Sequence, residues 1–143
     1  MARIGIVGAG AGGAAAAWTL DREAPEATVT VLEKSRGVCG RAATRRKDGC
    51  HYDYGANYLK SDDERVTELV TETLPSDDLV DITDPVYTFD ADGDVSPGRE
   101  ADDHKWTYRD GITRLAKHLF ADTETEVRNG VRAETLERLD EAD

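Results

Sequence analysis

Three glycines and one glutamate carry the most specific chemistry in this sequence. Gly8, Gly10 and Gly13 stand in the G-x-G-x-x-G spacing, and Glu33 lies twenty residues beyond the last of them. Glycines so spaced suit a ligand with a pyrophosphate. Gly8 permits a tight turn, Gly10 lets the pyrophosphate approach the backbone, and Gly13 lets a helix pack closely on a strand. The N–H groups and positive dipole end of the helix that follows would then face the phosphates. A carboxylate at Glu33 is placed to accept hydrogen bonds from ribose hydroxyls, and it would repel the additional 2′-phosphate of NADP.

Such a site needs strands and a helix to hold it. Arg3-Ile4-Gly5-Ile6-Val7 is a short apolar run suited to a buried strand, and the alanine-rich Ala14–Leu20 that follows the turn reads as a helix. Thr28-Val29-Thr30-Val31-Leu32 is a second strand that closes on Glu33. The order is strand, turn, helix, strand. Met1–Leu20 also has the arginine, apolar stretch and small residues of a secretory signal. Glycines between Gly5 and Gly13 interrupt the continuous helix that a signal core favours, so the strand reading is preferred. No other segment approaches the length of a membrane span.

The length of 143 residues fits one domain, with 38% hydrophobic residues and a net charge of −12. Residues 1–60 carry net +3 and residues 61–143 net −15, so the basic excess coincides with the expected anionic ligand. So acidic a remainder disfavours a nucleic-acid partner, because phosphates repel it. Aspartate outnumbers glutamate and arginine outnumbers lysine, a pattern like that of extreme halophiles; a docking surface for a basic partner is the alternative. Cys39 and Cys50 fit no zinc spacing, and reduced thiols in a cytoplasmic protein are expected.

After Glu33, a plain dinucleotide-binding half would lead into another crossover helix. Lys34-Ser35-Arg36-Gly37-Val38-Cys39-Gly40-Arg41 is instead a glycine and arginine loop without helical period. Ala42–Arg46 and Cys50–Asp53 read as strands of a hairpin joined by Lys47-Asp48-Gly49. The small residues of Tyr54-Gly55-Ala56-Asn57-Tyr58 allow the backbone to approach something flat or bulky.

The stretch E-K-S-R-G-V-C-G-R-A-A-T-R-R followed by D-Y-G-A-N-Y resembles the flavin-containing amine oxidase superfamily, and within it the renalase-like oxidoreductases. The likeness covers Arg3–Tyr58 and returns at Gly111–Leu119, which is similar to the G-M-x-x-L-A-x-x-L helix of that family. It implies FAD as cofactor. It places Gly8, Gly10, Gly12 and Gly13 around the pyrophosphate, Glu33 at the ribose and Arg41 at a phosphate, with Ala9, Ala11, Lys34 and Gly40 among the other cofactor-binding residues. Gly55, Ala56 and Asn57 would lie near the ribityl chain and the isoalloxazine. In the strand expected over Glu126–Arg132, Val131 is the residue whose backbone would meet the adenine, with Val127 as the alternative. Arg41 has independent physical support, since its planar fork suits phosphate. Arg36, Arg45 and Arg46 are expected to be mostly solvated. Cys39 stands where the family usually has glycine.

In the middle of the chain, Ser61 reads as the N-cap of a helix running to about Leu74, with Val66, Leu69, Val70 and Leu74 on one face. Val86–Phe89 and Val95, split by Asp92-Gly93, read as a second hairpin, and Lys105–Tyr108 as a further strand. Trp106, Tyr108 and Tyr87 are expected in the core. His51 and Asp53 alternate onto one strand face, where hairpin packing is favoured over an acid–base pair. No residue qualifies as catalytic and no metal site is expected.

The expected fold is α/β: a Rossmann-like FAD-binding domain, doubly wound and three-layered, incomplete and carrying inserted β-hairpins. Residues 1–60 would form the nucleotide-binding core, 61–110 an inserted helix and hairpin, and 111–143 a helix and strands returning to the nucleotide domain. The resemblance implies a substrate domain that these residues lack. It also implies hydride removal from a small-molecule substrate, an amine or an isomeric reduced nicotinamide, with dioxygen as electron acceptor. The alternatives are a non-catalytic dinucleotide-binding module, a truncated remnant, or an NAD-binding dehydrogenase domain. No membrane partner is expected, and the oligomeric state is open.

Overall fold

The computed structural model describes residues 1–84, 87–98 and 104–138. The chain forms two compact units, one of Met1–Ala43 with Thr113–Asp143 and one of Thr44–Ile112. The expected boundaries near residues 60 and 110 therefore shift. The hairpin of Thr44–Lys47 with Cys50–Asp53, and the segment after it, belong to the second unit.

The first unit is a Rossmann-like sheet. Strands β1 (Arg3–Val7), β2 (Thr28–Glu33) and β9 (Glu126–Asn129) lie parallel in the order β1-β2-β9. Ile4 pairs with Val29 and Ile6 with Val31, and Val31 pairs in turn with Val127. These alternate residues share the face on which α1 (Ala11–Glu23) packs. Ala9, Ala17, Val29 and Val31 form the buried cluster, with Ile4, Ile6, Leu20, Val38, Phe120 and Val127 against it. Alanines at 14 and 17 are fully buried, because only a short side chain lets the helix axis come down onto the strands.

Helix α3 (Thr113–Ala121) lies beside α1, burying Leu115, Ala116 and Leu119. Its end is clasped to α1 through Asp122. The Asp122 carboxylate accepts from Trp18 Nε1 (3.1 Å) and from Arg22, whose guanidinium stacks 3.7 Å from the Trp18 ring centre. Among the described residues no helix is long and apolar enough to cross a membrane.

Among its described residues, the second unit holds three antiparallel strand pairs and one short α-helix. Hairpin β3 (Thr44–Lys47) with β4 (Cys50–Asp53) turns through Asp48 and Gly49, both at positive φ (52° and 79°), as a two-residue hairpin turn requires. Strand β3 begins two residues later than expected, because Gly40–Ala42 forms a 3₁₀ turn. Asp53 braces this hairpin rather than pairing with His51. Its carboxylate accepts from Thr44 Oγ1 (2.6 Å) and from the Ile112 N–H (3.2 Å), while His51 is exposed.

Helix α2 (Glu64–Glu68) is capped by Asp63, not Ser61. The Asp63 carboxylate accepts from the Arg65 N–H (3.0 Å), and Ser61 Oγ accepts one step earlier from the Asp63 N–H (3.1 Å). The helix then widens into a π turn over Leu69–Thr73. The wider turn breaks the 3.6-residue period, so Val70 and Leu74 are buried as expected while Val66 is exposed.

Strand β5 (Leu79–Asp81) pairs with β8 (Trp106–Tyr108), and β6 (Tyr87–Phe89) with β7 (Val95–Pro97). Tyr108 is buried and Trp106 half-buried, but Tyr87 is 62% exposed. The β6–β7 hairpin lies with its apolar side chains in solvent, so Tyr87 leaves the expected core. Val86 lies outside the described residues.

Candidate functional site

The glycine turn is built from the end of β1 into α1. Gly8 adopts φ +101°, a conformation that a residue with a Cβ rarely takes, and its N–H donates to the Leu32 carbonyl (2.8 Å). Gly13 meets the second steric need. A Cβ there would stand 2.0 Å from the Gly8 carbonyl oxygen, so the first turn of α1 lies directly over the end of β1. At Gly10 and Gly12 an added Cβ meets no protein atom within 4 Å. These two face open space. Helix α1 starts at Gly10 with no side-chain cap and no acid in its first turn, leaving its positive end to an outside anion.

Ala9 and Glu33 lock the turn from beneath. Ala9 is fully buried; its N–H donates to Glu33 Oε2 (2.8 Å), and its carbonyl accepts from the Cys39 N–H (2.7 Å). The other carboxylate oxygen, Oε1, accepts from the Ser35 N–H (2.7 Å). Glu33 is only 7% exposed. Burial pushes its pKa up, but the N–H groups of Ser35 and Ala9, with the Lys34 ammonium alongside, outweigh it and hold the carboxyl below its ordinary value. Glu33 is therefore ionised at neutral pH.

The glycine and arginine loop lies directly against the turn. Cys39 forms a parallel bridge with Gly10 and takes the left-handed conformation (φ 79°, ψ −10°), the one that a glycine would adopt without strain. Gly40, at φ +56°, comes so near that a Cβ on it would be 3.4 Å from the Gly10 Cα. Arg41 follows on the exposed side of the 3₁₀ turn. Neither cysteine forms a disulfide; Cys39 is buried and Cys50 exposed.

At the carboxyl ends of the three parallel strands a cavity of about 290 Å³ opens, lined by Val7, Gly8, Leu32, Glu33, Lys34, Val131, Arg132 and Ala133. In open α/β sheets this is where ligands bind. Strand β9 ends at Asn129, earlier than expected, because Gly130 turns at φ +76°. The Gly130 N–H then donates to the Ser35 carbonyl (3.1 Å) and the Val131 N–H to the Glu33 carbonyl (2.9 Å), carrying Val131 over the cavity. Val127 is instead a ladder residue packed on the core.

The first unit thus gathers Gly8, Ala9, Gly10, Ala11, Gly12, Gly13, Glu33, Lys34, Gly40, Arg41 and Val131 around the ends of β1, β2 and β9. Gly55, Ala56 and Asn57 are exposed residues following β4, in the second unit. Sequence reasoning passed over Ser35, Arg132 and Ala133. Their signal was weak, since Ser35 acts through its backbone, and Arg132 and Ala133 merely follow Val131. Among the described residues no cluster of His, Cys, Asp and Glu could hold a metal.

Residues 6–73 match the NAD(P)-binding Rossmann-like domain family. Among solved structures, the chain is similar to a protein assigned as a protoporphyrinogen oxidase from Exiguobacterium sp. 255-15. That likeness has 30% identity and a TM-score of 0.52, over 67% of this chain and 21% of that one. Putrescine oxidase, in a structure bound to putrescine, aligns at 25% identity and a TM-score of 0.49 over 68% of this chain and 21% of that one. The chain spans about a fifth of the length of these proteins. The glycine turn, the parallel order β1-β2-β9 and the match over residues 6–73 make this a Rossmann-like α/β fold.

Proposed function

We propose that the chain binds FAD and is the FAD-binding portion of a flavin-dependent oxidoreductase. The observation that carries this reading is a single constellation. A glycine turn opens at Gly10 and Gly12, with an ionised Glu33 beneath it, beside a cavity bounded by Val131 and Lys34. The residues present fit a dinucleotide. The open positive end of α1 suits the pyrophosphate, and Gly40 and Arg41 lie on the loop bridged to the turn. The carboxylate suits the ribose, and the backbone at Val131 suits the adenine. The buried negative charge of Glu33 opposes a 2′-phosphate, which disfavours NADP.

FAD bound there would supply hydride acceptance; the protein's share is binding, orientation and exclusion of water. The resemblance to the amine oxidase superfamily supports an amine or an isomeric reduced nicotinamide as substrate and dioxygen as electron acceptor. It also supports Gly55, Ala56 and Asn57 as the residues nearest the flavin ring. Mixing the protein with FAD, FMN, NAD and NADP at high salt tests the cofactor. FAD is expected to be retained, and Arg41→Ala to weaken it by about 1–3 kcal/mol. Preferential retention of NAD, with no flavin, would establish the second reading, an NAD-binding domain, which the description of the matched family favours. Retention of FAD without reduction by either substrate class would mark a non-catalytic module.

A further inference from the structure

Glu33 is engaged within the protein itself: it is 7% exposed, and both of its oxygens accept backbone N–H groups, Ala9 at 2.8 Å and Ser35 at 2.7 Å. One of these donors is in the glycine turn and the other in the loop after β2. The same stretch of turn is held from two further directions, through the Gly8 N–H on Leu32 and the Cys39 N–H on Ala9. Charge-assisted hydrogen bonds are roughly twice as strong as neutral ones, so the carboxylate is the firmest of these ties.

We propose that Glu33 is a positioning residue: by tying the Ala9 amide to the Ser35 amide, it fixes the glycine turn whose neighbouring N–H groups receive the pyrophosphate. This rests on the dinucleotide reading above. It does not compete with ribose binding, because an ionised carboxylate has about four acceptor sites, and Ala9 and Ser35 occupy two. It assigns Ala9 to the support of the turn, since both its N–H and its carbonyl are engaged within the protein.

Glu33→Gln separates the two roles. A glutamine keeps one acceptor oxygen and turns an NH₂ towards the other backbone donor, so one of the two ties is lost. A ribose hydroxyl both donates and accepts, and so could still bond to a glutamine. Inorganic pyrophosphate has no ribose. The experiment measures binding of inorganic pyrophosphate and of ADP to wild-type and E33Q protein at high salt, with amide hydrogen exchange on both proteins free of ligand. E33Q is expected to weaken pyrophosphate and ADP by the same factor, about tenfold, and to speed exchange at Ala9 or Ser35 about tenfold while Val31 is unchanged.

Weakening of ADP with pyrophosphate unchanged would overturn the proposal, leaving Glu33 as a ribose contact alone. Unaltered exchange at both amides would overturn it as well. If wild type binds neither compound, the nucleotide reading fails and the phosphate role falls with it. The exchange data still decide whether the tie exists. Should E33Q fail to fold, the wild-type amide resonances of Ala9 and Ser35 carry the test. They must titrate together with one midpoint below the ordinary 4.5 of a glutamate, and separate midpoints refute the shared tie.

Discussion

Replacing Gly13 with alanine sets two effects of known sign against each other. Alanine favours a helix over glycine by about 0.5–1 kcal/mol. The new Cβ, however, would stand 2.0 Å from the Gly8 carbonyl oxygen, 3.2 Å from its carbon and 3.5 Å from Ile6 Cγ2. That carbonyl cannot swing aside cheaply, because Gly8 is held at φ +101° by its bond to Leu32. Relief must come from lifting α1 off the sheet, and overpacking of this kind costs about 1–3 kcal/mol. Gly12→Ala is the internal control: it gains the same helical preference and its Cβ meets nothing within 4 Å. The difference between the two variants is therefore the clash alone, and Gly13→Ala should melt roughly 3–10 °C below Gly12→Ala by circular dichroism. Gly10→Ala completes the set. Its φ of −68° and ψ of 176° suit alanine and its Cβ is unobstructed, so it should melt like wild type yet bind FAD more weakly. A Gly13→Ala protein as stable as Gly12→Ala would refute the account of this turn.

The stability gap between wild type and Glu33→Gln should be fully open above about pH 5. It should close as acid protonates the folded carboxyl, whose pKa lies below the ordinary 4.5; melting across that range measures it. Cys39→Gly should be more stable than Cys39→Ala by about 1 kcal/mol, because only glycine takes φ 79° without strain; equal urea midpoints would contradict this. Asp53→Ala removes the acceptor of Thr44 Oγ1 and of the Ile112 N–H and should cost about 1–3 kcal/mol in denaturant. Finally, residues 61–143 carry net −15, so molar sodium chloride, with a Debye length of about 3 Å at 1 M, should raise the melting temperature. A melting temperature independent of salt would remove the case for a charge-strained halophile-like chain.

Legibility in the sequence followed the strength of local constraint. Strands β1 and β2 and the turn between them were readable because an apolar run, a steric need for glycine and a spaced acid coincide. The β3–β4 hairpin was readable from Asp48-Gly49. Where local order depends on what packs nearby, reading failed: the π turn at Leu69–Thr73 has no period of its own, and Tyr87 has strand-like neighbours yet stays exposed. The ties of Glu33 were invisible for another reason. Its partners are the backbone N–H groups of Ala9 and Ser35, which any non-proline residues would supply. The division at Thr44 and Ile112 was likewise hidden, because no shift in composition marks it.

The knot at Asp53 has a topological consequence. Thr44 and Ile112 are the first and last residues of the second unit, and the Asp53 carboxylate holds both, with Gly111 crowded against the Thr44 side chain. The inserted unit therefore begins and ends at one place. For the chain on either side, a connection spanning the whole unit closes like one of a few residues. Loop-closure entropy grows with the logarithm of length, so a tenfold shorter effective loop saves about 2 kcal/mol when β9 returns to pair with β2. An insertion pinned in this way can lengthen or diversify with little thermodynamic penalty to the sheet that received it.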